Sequence, residues 1–163
     1  MLKIIKVLTV LFCIMNLTGA ETAVRKCGHG ELKPLSVQVD SCTEMPCELW
    51  RGFSTNIAVQ FVSTKNSMSD IKADVDMTTL GIGMPFEVSA ERKDVCKNLM
   101  FGAYCPMDEG EDATYHLVLD IAEYQPEVPA KVQVSIKDAS DDTVLACFIL
   151  DARITKRHGP LTQ

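Results

Sequence analysis

Along most of this chain apolar and polar residues alternate with a period of two. Leu35, Val37 and Val39 are separated by Ser36 and Gln38 and followed by Asp40. Over Phe53–Phe61, the residues Phe53, Thr55, Ile57, Val59 and Phe61 share one side. Ile71, Ala73, Val75 and Met77 alternate with Lys72, Asp74 and Asp76, and Tyr115, Leu117, Leu119 and Ile121 with His116, Val118 and Asp120. Val132, Val134 and Ile136 are interleaved with Lys131, Gln133, Ser135 and Lys137. This period predicts strands with one face on a core and the other in water. Val144–Leu150 is apolar on both faces, as a central strand would be. Polar turns at Ser63–Ser69 and Asp138–Asp142, and the two-proline loop Tyr124–Pro129, divide the runs. There is no 3.6-residue period and no internal repeat. About seven short strands with turn signals between them predict an all-β, immunoglobulin-like β-sandwich of two antiparallel sheets. Trp50 follows Cys47 too closely for a true immunoglobulin domain, so that likeness is architectural.

The ends of the chain read differently. Lys3 and Lys6 precede the apolar run Val7–Met15, and Thr18-Gly19-Ala20 offers small residues for a cut. This is the pattern of a secretory signal peptide, assigned to residues 1–20. Residues 21–155 then form one binding domain and 156–163 a flexible tail. The leader carries Lys3 and Lys6 of the 16 basic residues and none of the 22 acidic ones, so the mature balance is 14 against 22, or −8. An acidic chain has little attraction for phosphate backbones, which excludes nucleic acid as a partner.

Cys13 leaves with the leader, and Cys27, Cys42, Cys47, Cys96, Cys105 and Cys147 remain. An even number in an exported chain points to three disulfides, for which about fifteen connectivities exist. Cys42 with Cys47 and Cys96 with Cys105 are close in sequence, which leaves Cys27 to meet Cys147. The stretch Gly81–Pro106 opens with Gly-Ile-Gly-Met-Pro-Phe, too apolar for an ordinary surface loop. Met84, Pro85 and Phe86 are read as an apolar rim, held in place by the loop between Cys96 and Cys105.

Catalytic patterns are missing from this sequence. His29, His116 and His158 have no partner at metal spacing, and the acidic run Asp108–Asp112 lacks the alternating ligands of a calcium loop. Gly81-Ile-Gly83 lacks the third glycine of a dinucleotide loop. The chain therefore reads as a non-enzymatic binding protein without metal or cofactor. Met45, Met68, Met77, Met84, Met100 and Met107 supply adaptable apolar surface.

Three features together carry a resemblance: Cys27-Gly28, the loop Cys42-x-x-x-Pro46-Cys47 before a long strand, and Gly-x-Gly-Met-Pro-Phe leading to Cys96…Cys105-Pro106. The set is similar to the ML family of secreted lipid-recognition domains, and within it to the soluble sterol-binding branch. The resemblance runs from about Cys27 to Ile154. It implies a sandwich whose sheets splay around an apolar cavity for a sterol or fatty acyl chain, with the pairing Cys27–Cys147, Cys42–Cys47 and Cys96–Cys105. It also implies that Phe86 stands at the cavity mouth, with Ile121 and Tyr124 on the facing loop. The expected protein is a secreted, monomeric lipid carrier whose disulfides hold the sheets apart, handing its cargo to a membrane or receptor. The alternative is an innate-immune or chemosensory module presenting a bound lipid to a receptor. Asn56, Asn66 and Asn98 lack the glycosylation pattern, and Asn16-Leu-Thr18 lies in the leader. Extracellular fluid is therefore favoured over glycan-directed sorting to the lysosome. The secreted protein is expected to show no mass shift on treatment with an N-glycosidase, which intact mass spectrometry checks.

Overall fold

The alternating runs form the strands of two sheets. The computed structural model describes residues 21–28 and 30–157. The leader, His29, His158 and the rest of the tail lie outside the described residues. Within them the strands are β1 (Arg25–Lys26), β2 (Ser36–Val39), β3 (Cys47–Trp50), β4 (Ser54–Val62), β5 (Ile71–Thr79), β6 (Ile82–Pro85), β7 (Asp112–Asp120), β8 (Pro129–Asp138) and β9 (Val144–Thr155). The larger sheet has the order β1-β9-β8-β5-β6, with β3 alongside β9, and the smaller has the order β2-β4-β7. Every pairing is antiparallel except β3 with β9, which is parallel.

Register places the apolar sets opposite one another. Val75 faces Val134 and Val134 faces Phe148 in the larger sheet, while Ile57 faces Leu117 and Val59 faces Tyr115 in the smaller. All of these side chains are buried. Each such burial contributes about 1.5–3 kcal/mol, and a one-residue slip would turn the whole set outward. Strand β9 is internal, between β8 and the β1/β3 pair, as its two apolar faces require.

Three sequence expectations need correction. Phe53 is not in β4; it sits in the tight crossing from β3 to β4, half-exposed beside the Arg157 guanidinium at 5.3 Å. Leu35 precedes β2 and is likewise half-exposed. The Gly81–Phe86 stretch, to which the sequence reading gave no strand, contains the hairpin strand Ile82–Pro85. Leu80 and Gly81 have φ of 52° and 82°, the two-residue left-handed turn that suits a twisted antiparallel pair. From it β6 pairs back along β5, Ile82 with Thr79 through Pro85 with Asp76.

The chain changes sheet at several seams. Between β2 and β3 it passes from the smaller sheet to the larger, and the Cys42–Cys47 disulfide closes that crossing. On another side, a helical turn α1 (Ala90–Lys93) and a 3-10 turn (Val95–Asn98) lace the sheets together. Asp94 bridges to Lys72 of β5, and Leu99 bridges to Tyr115 of β7. The Tyr115 hydroxyl donates to the Arg92 carbonyl at 2.6 Å. Arg92 pairs with Asp120, which also accepts from the Ser54 hydroxyl at 2.6 Å. Cys96–Cys105 closes the segment that follows. The third pair, Cys27–Cys147, spans 120 residues of sequence but joins β9 to the chain just beyond β1, its neighbour in the same sheet. The disulfide pairing is the expected one. Its geometry corrects the idea that all three hold the sheets apart, because Cys27–Cys147 lies within one layer.

Two outcomes follow from this frame. The Phe86 amide donates to the Val75 carbonyl at 2.8 Å, so backbone alternation turns the amide positions of Gly83 and Pro85 to the free edge of β6. Proline has no donor there, which blunts the edge. Pro85→Val restores the donor and is expected to raise concentration-dependent self-association, measured by analytical ultracentrifugation. The second outcome concerns acid. The Ser54 hydroxyl, opposed by desolvation and joined by Arg92, holds Asp120 below the usual carboxylate range. Lys65 and the Thr143 groups hold Asp141 down at about 2. Carboxyl groups lowered by folding add stability that is full above the unfolded value of about 3.9 and lost as pH falls through the folded value. The melting temperature is therefore expected to be level down to about pH 5 and to fall from about pH 4 to 2, with a shallower fall in Asp120→Asn.

Candidate functional site

One end of the sandwich collects the residues of interest. Thr79 of β5 pairs with Ala130, Pro129 with Arg153, and Ser54 with Asp120. The Leu80–Gly81 turn, the loop 121–128 and the crossing Arg51–Phe53 therefore sit at the same end. Loop 121–128 leaves β7 of the smaller sheet and enters β8 of the larger, so it spans the gap between them.

On the hairpin side, residues opposite one another share a face. Met84 lies opposite Met77 and Ile82 opposite Thr79, while Phe86 bonds to Val75. Met77 and Val75 are buried on the inner face, so Ile82, Met84 and Phe86 continue that inner face beyond the point where the smaller sheet covers it. Their exposure rises in order: Phe86 8%, Met84 54%, Ile82 64%, and Leu80 at the tip 79%. The result is one apolar track from the interior to solvent. Exposed apolar surface of this kind is a candidate interaction or ligand site.

Across the opening, Ile121 is buried and tied by two backbone bonds, its amide to the Phe53 carbonyl at 3.0 Å and its carbonyl to the Gly52 amide at 2.7 Å. Tyr124 stands out into solvent at 88% exposure. Thus Ile121 and Tyr124 lie in the loop at this end, while Met84, Pro85 and Phe86 run back from the hairpin toward the middle of β5, with Phe86 level with Val75. Phe86 and Ile121 join the same apolar core, Met84 and Pro85 lie on the exposed edge strand, and Tyr124 turns away from the interior. Leu80 and Ile82 were missed, although the spacing of Ile82, Met84 and Phe86 by twos was a strand signal in plain view. Arg51 was also missed, and nothing local in its sequence marks it.

The interior behind the mouth is lined by Val59, Tyr115, Leu117, Val132, Val134, Leu150 and Ile154, all fully buried. The hydroxyl of Tyr115 is already spent on the Arg92 carbonyl, and burial, with Asp94 nearby, pushes its ionisation well above the ordinary value. The lining therefore carries no charge at neutral pH and offers van der Waals contact rather than hydrogen bonds. These side chains belong to one buried apolar core.

Other candidates are less suited. A surface groove of about 600 Å³ lies on the outer face of the smaller sheet, beneath Phe101. Its polar groups are paired among themselves, Ser36 with Gln60 and Gln60 with Asp112. On the same face His116 meets Asn56 at 3.2 Å, consistent with its place on a polar strand face. Cys27, Cys147 and Glu31 cluster, but the two sulfurs are bonded to each other and hold no thiolate for a metal.

Comparison with known proteins agrees with this geometry. Residues 21–154 match the family model of the ML domain. NPC intracellular cholesterol transporter 2 of Bos taurus is 31% identical over 137 residues, covering 80% of this chain and 87% of that protein. The Sus scrofa protein of the same name is 27% identical over 151 residues, covering 90% and 97%. The crystal structure of a Niemann-Pick type C2 protein from Japanese carpenter ant superposes with a TM-score of 0.69 at 18% identity, covering 82% of this chain and 100% of that one. At that identity the last likeness is one of fold. With the family match running the length of the sandwich, and relatives aligned over most of their own length, the chain belongs to the ML domain family as a Niemann-Pick type C2-like member.

Proposed function

We propose that the protein is a secreted carrier that takes a sterol or fatty acyl lipid between its two sheets, through a mouth between the β6 hairpin and loop 121–128. The observation that carries this reading is the apolar track Ile82–Met84–Phe86, which continues the inner face of the larger sheet out to solvent. Relatives whose names record cholesterol transport support the same chemistry. A guest burying about 400 Å² of apolar surface gains about 10 kcal/mol gross at about 25 cal/mol per Å². Association, ordering and the displacement of packed side chains offset much of that, about 4–15 kcal/mol for association alone. Binding is therefore reversible, and the neutral lining leaves selectivity to shape. Leu80 and Ile82, exposed beyond the mouth, provide the surface on which cargo passes to an acceptor membrane or receptor.

Titration with dehydroergosterol, a fluorescent sterol, and with cis-parinaric acid, a fluorescent fatty acid, is expected to show one saturable site for at least one of them. Met84→Asp places a charge on the exposed part of the track. Its folding stability is expected to stay within about 0.5 kcal/mol of the parent, while affinity falls about tenfold or more. Unaltered affinity would remove the hairpin from the site, and binding of neither probe would end the carrier reading.

A further inference from the structure

The mouth loop is held by a side chain from another element. Arg51 lies between β3 and β4, where the chain crosses from one sheet to the other, and its own amide is fixed on the Thr155 carbonyl at 3.0 Å. From there its guanidinium reaches 74 residues along the chain to donate to the Gln125 carbonyl at 3.1 Å. It also pairs with Glu127 at 3.2 Å. The Arg51 side chain is 17% exposed, and its Nε is buried without a hydrogen-bond partner. Such a buried donor is costly unless the surrounding contacts hold it in place.

These contacts divide loop 121–128 into three parts. Its two ends are stitched to fixed backbone: Ile121 to Gly52 and Phe53, and Val128 to the Ile154 amide at 2.9 Å. The outer limb between them, which carries the exposed Tyr124, has one turn bond of its own, from the Gln125 amide to the Ala122 carbonyl at 3.1 Å. Among the described residues, its hydrogen bond and ion pair to another element are both made by Arg51. Both Arg51 contacts fall on that limb, which belongs to the connection from β7 of the smaller sheet to β8 of the larger.

We infer that Arg51 is a positioning residue, a latch that holds the mouth loop down and so sets how fast a lipid passes in and out. This rests on the mouth assigned above. A latch of this kind contacts the protein in both the empty and the loaded states. It therefore changes uptake and release together and leaves the affinity nearly untouched, unlike a residue that touches the ligand. Because Glu127 is half-exposed, part of the hold is an ion pair that salt weakens.

The latch is tested first without ligand. In Arg51→Met, amide hydrogen exchange over residues 122–127 is expected to run about tenfold faster, while amides of β7 and β8 keep their parental rates. Raising ionic strength is expected to speed the same loop amides in the parent and not in the variant. Should Arg51→Met fail to fold, Glu127→Gln keeps the Gln125 bond, loses the ion pair and is expected to give a smaller shift in the same direction. Loop protection equal to the parent in the folded variants overturns the latch, whatever the protein binds. With cis-parinaric acid, stopped-flow uptake and release are both expected to accelerate about tenfold with the dissociation constant within about twofold. A change confined to release, with weakened affinity, would make Arg51 a ligand contact and overturn the inference. If the parent takes up no parinarate, the carrier reading is what fails, and the exchange experiment still decides the latch.

Discussion

A six-stranded sheet cannot be covered by a three-stranded one, and that mismatch governs this molecule. The alternating pattern commits the inner face of every strand to apolar residues before it is settled what will lie on them. Over the middle strands the smaller sheet supplies the cover, and Val134, Leu117 and their neighbours are fully buried. Beyond it, the larger sheet still presents an inner face along β5 and β6. There the chain uses irregular structure instead: α1, the 3-10 turn and the Cys96–Cys105 segment. At β6 the cover gives out, and apolar side chains that belong to the interior by register meet water.

How much of this could be read from residues alone depended on the range of the interaction. Long strands were legible because alternation over several residues is a local signal, as in Ile71–Met77 or Tyr115–Ile121. Two of the short strands, β1 and β3, were not. Cys47–Trp50 pairs with Ala152–Thr155 and Arg25–Lys26 with Phe148–Ile149, so each is defined by a partner some hundred residues away. The hairpin at Leu80–Gly81 was missed because a leucine at the first turn position hides a left-handed geometry usually signalled by Asn or Gly. Phe86, read as part of an apolar rim, and Ile121, assigned by family likeness, both belong to the buried apolar core. Tyr124 shares a loop with Ile121 but faces solvent, an orientation set by how loop 121–128 is tied down rather than by its own sequence.

The seams explain why this sandwich can be rigid and penetrable at once. Along the β5–β7 side the sheets are laced by backbone bridges, a disulfide, the Tyr115–Arg92 bond and the Arg92–Asp120 pair. At the β2–β3 crossing another disulfide fixes their relation. At the end that carries loop 121–128 there is no disulfide among the described residues, but the backbone crosses between the sheets twice, at 51–53 and at 121–128. The loop is held at each end by backbone bonds, and in the middle by the Arg51 guanidinium.

That distribution bears on how an interior already filled by its own side chains can accept a guest. A uniformly bonded sandwich would have to loosen everywhere, and the many weak attractions broken at once would exceed what a lipid of ordinary size restores. On the proposed reading, the rearrangement would be confined to the end that carries loop 121–128. The side chains nearest the opening include Met77 and Met84, whose flexible thioethers can repack with little rotamer strain. Phe86 stands between them and the deep lining, buried yet next in line to the exposed track. A lipid advancing along Ile82 and Met84 exchanges one apolar neighbour for another at each step and leaves no polar group stranded. On the proposed route, a guest would gain its space by replacing apolar side chains along the track from Ile82 and Met84 toward Phe86.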